Sequence, residues 1–243
     1  MRKYFIFMSV ICRFLPVLAL TAAAVSGCKA DLWNCNTMRS AINRDKQTVI
    51  ADLTEQIKDI ENDEEEKSRS LGRLQSLYQQ IGAQYLDQKL WDMAIPAFSS
   101  CLKYGKKTPV IYYSMAVAYA NRGAENKNNA DLDRAELYYG KALEIDSSFY
   151  EAGYGLAVLL FFEKDEKEKA LAIMEETAAR HPKFYTARFG LGRFYYELRQ
   201  PEKALVIYRT LQGDLEKLPD SQAIREYREQ CDENIRRIMS EQK

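Results

Sequence analysis

The chain has 243 residues, 47% hydrophobic and 29% charged, a make-up that suits one soluble domain or a short array of repeats. Its 35 Lys plus Arg balance 35 Asp plus Glu, so no strong basic field calls for nucleic acid. One histidine removes most metal and acid–base arrangements, and five cysteines contain no C-x-x-C pair that would make a zinc or redox motif.

At the N-terminus, Arg2, Lys3 and Arg13 precede an apolar run over 14–25 that is short for a bilayer span. The run ends in Val25-Ser26-Gly27-Cys28, which resembles the bacterial lipobox. That resemblance implies a signal peptide over 1–27 and a mature chain that starts at an acylated Cys28, with palmitate-type chains as its membrane anchor. Three acyl chains at ~0.8 kcal/mol per buried methylene would hold without a transmembrane helix. Ordinary secretory cleavage after Ser26 is the other reading, since Ala24 and Ser26 are both small. Cleavage before Cys28 removes three basic residues and leaves 32 Lys plus Arg against 35 Asp plus Glu, a weak match for an anionic lipid surface. Lys29 stands where enterobacterial lipoproteins retained at the inner membrane often carry aspartate. The expected location is the bacterial cell envelope, on the periplasmic face of the outer membrane.

Residues 28–36 read as a lipidated tether and 37–74 as an N-terminal helical segment. Ile42, Val49, Leu53, Ile57 and Ile60 recur at seven, four, four and three residues, one narrow apolar stripe. Glu61, Glu64, Glu65 and Glu66 mark a turn or a solvated stretch, without the glycine turn and alternating ligands of a calcium loop. A short coiled coil, and with it a homo-oligomer, is one reading of the stripe.

From residue 75 a period of 34 residues sets in. Tyr78, Ile81, Gly82, Tyr85, Ala94 and Phe98 open the series over 75–108, with Pro96 near the start of a second helix. Tyr112, Met115, Ala116 and Tyr119 follow 34 residues later over 109–150, but Ala135, Tyr139 and Ala142 arrive seven residues late. The polar stretch over 121–133 therefore reads as an enlarged turn between helices. Tyr154, Phe161, Ala170, Met174 and Pro182 continue over 151–184, then Leu191, Gly192, Tyr195, Ala204 and Tyr208 over 185–218. Val158 stands where a small residue would let helices approach and Arg188 where an aromatic would pack, so both predict looser packing. Residues 219–243 carry Ile224, Tyr227, Cys231, Ile235 and Ile238 on one face, as a capping helix would.

Two amphipathic helices per period of this length are the signature of a helical solenoid. The pattern resembles the tetratricopeptide repeat (TPR) family, whose repeat runs W-x2-L-G-x2-Y, then Ala, an aromatic, Ala and Pro. The resemblance covers residues 75–218 and implies an all-α, right-handed solenoid of about four repeats with flanking helices. It also implies a concave groove lined by the first helix of each repeat, which here presents Tyr113, Val117 and Asn121, then Leu159, Phe162 and Glu163. Phe189, Arg193, Tyr196 and Glu197 complete that partner-binding set. The carboxylate clamp of chaperone-binding members is missing, since its places hold Gln79, Ala83, Ser114, Ala152 and Leu156.

No nucleophile–base pair or metal-ligand set is legible, which leaves the catalytic, cofactor and metal assignments empty. His181, between Arg180 and Pro182, suits a helix C-terminus. Cys101 and Cys231 read as buried apolar side chains, and Cys35 as the more reactive thiol. The sequence thus points to a membrane-anchored, non-enzymatic scaffold whose groove binds envelope proteins. The alternative is a transporter-accessory lipoprotein with a small ligand in an apolar groove or pocket. A third reading fills the trough with the chain's own terminal helix.

Overall fold

The computed structural model describes residues 35–62, 70–105 and 107–241. The leader, Cys28 and residues 63–69 of the acidic run lie outside the described residues, among which there are ten α-helices and no strand. These are α1 (Cys35–Asn62), α2 (Leu71–Asp87), α3 (Trp91–Tyr104), α4 (Pro109–Asn126) and α5 (Asn129–Ile145). They continue as α6 (Tyr150–Phe162), α7 (Lys167–Arg180), α8 (Tyr185–Glu197), α9 (Pro201–Glu216) and α10 (Gln222–Glu241). Two compact units divide the chain, residues 1–122 and 123–243, with the boundary inside α4.

In the first unit α1 lies antiparallel to α2. Lys46 pairs with Asp87 at the last residue of α2, while Glu61 Oε1 accepts from the Tyr78 hydroxyl at 2.7 Å and the Tyr104 hydroxyl at 2.8 Å. The two tyrosine rings stack 5.6 Å apart. Leu53, Ile57 and Ile60 are buried with Leu74, Leu77 and Ile81, so this part of the α1 stripe packs within its own chain, while Val49 is exposed. The helix also starts at Cys35, two residues before the predicted helical segment. Pro96 is deeper in its helix than the sequence suggests. It is the sixth residue of α3, beyond the first four whose N–H groups have no helical acceptor, so the Asp92 carbonyl loses its usual donor.

The turn inside each repeat, between its first and second helix, uses a left-handed residue other than glycine. Lys89, Lys127, Asp165 and Arg199 have φ of 60, 52, 57 and 59°. Beside all four the next N–H closes back on the helix end: Leu90 to the Tyr85 carbonyl at 2.8 Å, Asn128 to Gly123 at 2.8 Å, Glu166 to Leu160 at 2.9 Å and Gln200 to Tyr195 at 2.9 Å. These turns explain the late second repeat. Lys89, Asp165 and Arg199 precede Ala94, Ala170 and Ala204 by five residues, whereas Lys127 precedes Ala135 by eight. Three of the seven extra residues therefore lengthen α5, and the other four add about one turn to α4.

The enlarged loop is thus corrected to a tight turn between two longer helices. Its polar residues are the solvent faces of two helices: Glu125 and Asn126 are exposed, while Ala124, Asp131 and Leu132 are buried. The Asn128 side chain caps α5 by accepting from the Ala130 N–H at 3.0 Å.

In the second unit α6 is buried on nearly every face, from Ala152 to Phe161, because it packs against α5, α7 and α8. Close approach between helices rests on small residues facing rings. A Cβ on Gly155 would meet the Tyr139 ring at 2.6 Å, and one on Gly192 would meet the Tyr208 ring at 2.7 Å. Neither suspected weak point is loose. Val158 is buried, and its repeat carries the unbranched Met174, fully buried, where the others carry Phe98, Tyr139 or Tyr208. Arg188 exchanges an aromatic contact for an ion pair with Asp214 at 2.8 Å, and that guanidinium holds the Asp214 carboxyl below its ordinary range. At the edge of α5, Lys164 donates to Asp133 at 2.6 Å and to Glu136 at 2.5 Å, and Lys169 to Glu136 at 2.6 Å. Burial alone would raise Glu136, but the two ammonium groups overcome it and keep the carboxyl low.

Gly192→Ala should destabilise the chain by ~1–3 kcal/mol in chemical denaturation, because Tyr208 is held in the core and cannot make room. Lys127→Gly should act in the opposite direction, raising stability by ~0.5–1 kcal/mol through relief of the left-handed backbone.

Candidate functional site

The candidate site is a side-chain surface on the first helices of the repeats. In the first unit its predicted members lie along α4. Tyr113 is half-buried, Val117 is buried, and the Asn121 amide donates to the Val117 carbonyl at 2.7 Å. In α2 the equivalent end residue, Asp87, is engaged by Lys46 of α1.

In the second unit the predicted members fall into three groups. Leu159 is fully buried and, like Val117, cannot offer its side chain to a partner. Both are corrected from groove surface to core, because each side chain is buried in its own unit. Phe189 is roofed by the chain itself. The Tyr227 ring of α10 stacks over it at 5.6 Å, and Tyr208 lies 6.0 Å away. The third group, Phe162, Glu163, Arg193, Tyr196 and Glu197, keeps accessible surface.

This open group is organised by cation–aromatic contacts. Phe161 and Phe194 stack at 4.0 Å, with the Phe162 ring 4.9 Å from the first and 5.8 Å from the second, so Phe162 stands on a buried aromatic base. The Arg193 guanidinium lies 4.5 Å over the Phe162 ring and 3.8 Å from Glu197. One turn on, Arg237 of α10 lies 5.0 Å over Tyr196, whose hydroxyl donates to Glu241 at 2.5 Å. That bond to a carboxylate, followed by burial, raises the Tyr196 phenol above its ordinary range. Arg237 and Glu241 were not legible as site residues. The only available signal was their place on the polar flank of a helix read as a cap.

The capping helix itself is held firmly. Cys231 and Ile238 are buried against Leu211, Leu215 and Tyr208 of α9. Arg228 donates to the carbonyls of Leu215 at 2.8 Å and Leu218 at 3.1 Å, satisfying the end of α9. The buried thiols are inert in character. Burial pushes both Cys101 and Cys231 up to about 12. His181 ends α7 with its ring 4.9 Å from Tyr150. Among the described residues no group of three or more His, Cys, Asp or Glu is placed to hold a metal ion, and no helix is long and apolar enough to cross a membrane.

No protein-family model matches the sequence, and no curated protein matches it either. Solved structures do match the fold. The thermophilic TPR protein TTC0263 of Thermus thermophilus aligns with a TM-score of 0.57 at 14% identity, over 81% of this chain and 95% of its own. MamA aligns with a TM-score of 0.56 at 17% identity, over 78% and 98%. BtubC (BKLC) from P. vanneervenii gives 0.57 at 15% identity, over 81% and 92%. The chain has the TPR-type helical solenoid fold.

Phe162 and Phe189, equally apolar by sequence, should separate in mutagenesis. Phe189→Ala is expected to cost ~2–4 kcal/mol, since it uncovers the contact with α10, whereas Phe162→Ala should cost no more than about 1 kcal/mol, both read from denaturant midpoints.

Proposed function

We propose that the protein is a lipid-anchored TPR scaffold that binds protein partners of the bacterial cell envelope through the open face of its second unit. The observation that carries this reading is the surface at Phe162, Arg193 and Tyr196: an aromatic residue 36% exposed, set on a rigid aromatic base and ringed by oriented charged groups. Exposed aromatic and arginine side chains on a firm support are what dominate binding energy at protein interfaces. The TPR fold is consistent with it, although a fold hosts many functions and the assignment rests on the site. Anchoring at Cys28 is supported by the lipobox-like Val25-Ser26-Gly27-Cys28 after an apolar run. With Lys29 next in the chain, the reading places the protein at the periplasmic face of the outer membrane. No catalytic step is assigned to it.

The test is crosslinked co-purification from detergent-solubilised source membranes, comparing the wild type with Phe162→Arg. The variant should keep its helical content and its melting temperature within a few degrees, and a specific protein should be lost from its eluate. Identical protein eluates from both, with a lipid or small solute co-eluting, would instead support the ligand-carrier alternative. Labelling with a radioactive fatty acid, abolished by Cys28→Ser, tests the anchor separately.

A further inference from the structure

Resting on that reading, the structure carries a statement about the chemistry of the partner. Arg193 is a half-buried guanidinium, its side chain 27% exposed. The face of Phe162 fixes its plane from one side. Its closest described carboxylate oxygen, on Glu197, is 3.8 Å from Nε, beyond hydrogen-bond reach. Arg237 is held in the same manner over Tyr196, and among the described residues its guanidinium has no hydrogen bond or ion pair. Glu241 accepts the Tyr196 hydroxyl.

Tyr196 follows Arg193 by three residues on α8, so the two guanidinium groups border one stretch of surface. Both lower the Tyr208 phenol, against the burial that raises it. A guanidinium stacked on an aromatic face points its N–H edge outward, and that fork matches a carboxylate in a bidentate bond. Elsewhere in this unit Lys164, Lys169, Arg188 and Arg225 each have a carboxylate at hydrogen-bond distance, while Lys203 lies 5.2 Å over the Tyr195 ring. Arg193 and Arg237 are the guanidinium groups held on ring faces with no described carboxylate at hydrogen-bond distance.

We propose that Arg193 and Arg237 are specificity residues for an acidic segment of a protein partner. The segment would place an apolar side chain on Phe162 and carboxylates of flanking Asp or Glu residues on the two guanidinium groups. Glu163 and Glu197 on the same face repel carboxylates placed away from the two guanidinium groups, which restricts where the acidic residues of the segment can fall.

The test uses the full chain in detergent and two fluorescent peptides of about a dozen residues. Both carry Leu and Phe anchors, one with Glu at the intervening positions and the other with Gln. Fluorescence anisotropy should show the Glu peptide binding about tenfold more tightly, a preference that falls with added salt. Arg193→Gln with Arg237→Gln should abolish the preference, while Arg193→Lys with Arg237→Lys should restore part of it by charge without the planar fork. Unchanged melting temperatures in these variants exclude a merely structural effect. Equal binding of the two peptides would overturn the acidic preference while leaving the surface as a protein-binding face. Binding of neither peptide, alongside a partner captured by wild type and lost from Phe162→Arg, would overturn it in the same way. Capture of vesicles of anionic phospholipid by wild type but not by the Gln variants, without peptide binding, would assign the arginines to a lipid surface and overturn the proposal.

Discussion

The fold depends on one recurring contact: the close approach of two helix backbones where a residue without a side chain faces an aromatic ring. Gly82 against Phe98, Gly155 against Tyr139 and Gly192 against Tyr208 leave less than 3 Å for an added Cβ. A ring set against a bare backbone fills the space between helices at interior density, and neither partner can change alone. Repeating such contacts, within a repeat and between successive ones, is what turns separate helices into a stack, since no single pair can bury its own apolar face.

The third repeat shows how the constraint can be met otherwise. With Val158 in the small place, the facing position takes the flexible Met174 and both stay buried, as an unbranched thioether adapts to a shape a ring would not fit. Arg188 makes a comparable exchange of an aromatic contact for an ion pair with Asp214. The second repeat accommodates seven extra residues by adding length on both sides of the same left-handed turn. In each case the period survives because the helix ends and the interhelical contact keep their geometry while side chains vary.

Closing the stack has a direct effect on function. A terminal repeat needs a polar outer face, and α10 provides it by laying Cys231 and Ile238 on α9 and Tyr227 on Phe189. The same helix brings Arg237 over Tyr196 and Glu241 to its hydroxyl. The cap therefore covers one part of the groove and adds charged groups to the part left open.

The sequence by itself determined the period, the all-α architecture and the amphipathic cap, because each depends on spacing along one helix or between two adjacent ones. Tyr78, Gly82 and Phe98 were readable as a set for that reason, and so were Cys101 and Cys231 as buried thiols. Only the tertiary structure decided which groove positions remain surface. Val117, Leu159, Phe162 and Phe189 share a register and an apolar character, yet Val117 and Leu159 are core, Phe189 lies under Tyr227, and Phe162 is open. Exposure is set by what packs from other segments, and no local pattern records that. The partnership of Arg193 and Arg237 is of the same kind, joining residues 44 apart in the chain through two rings that only the packing of α10 brings together.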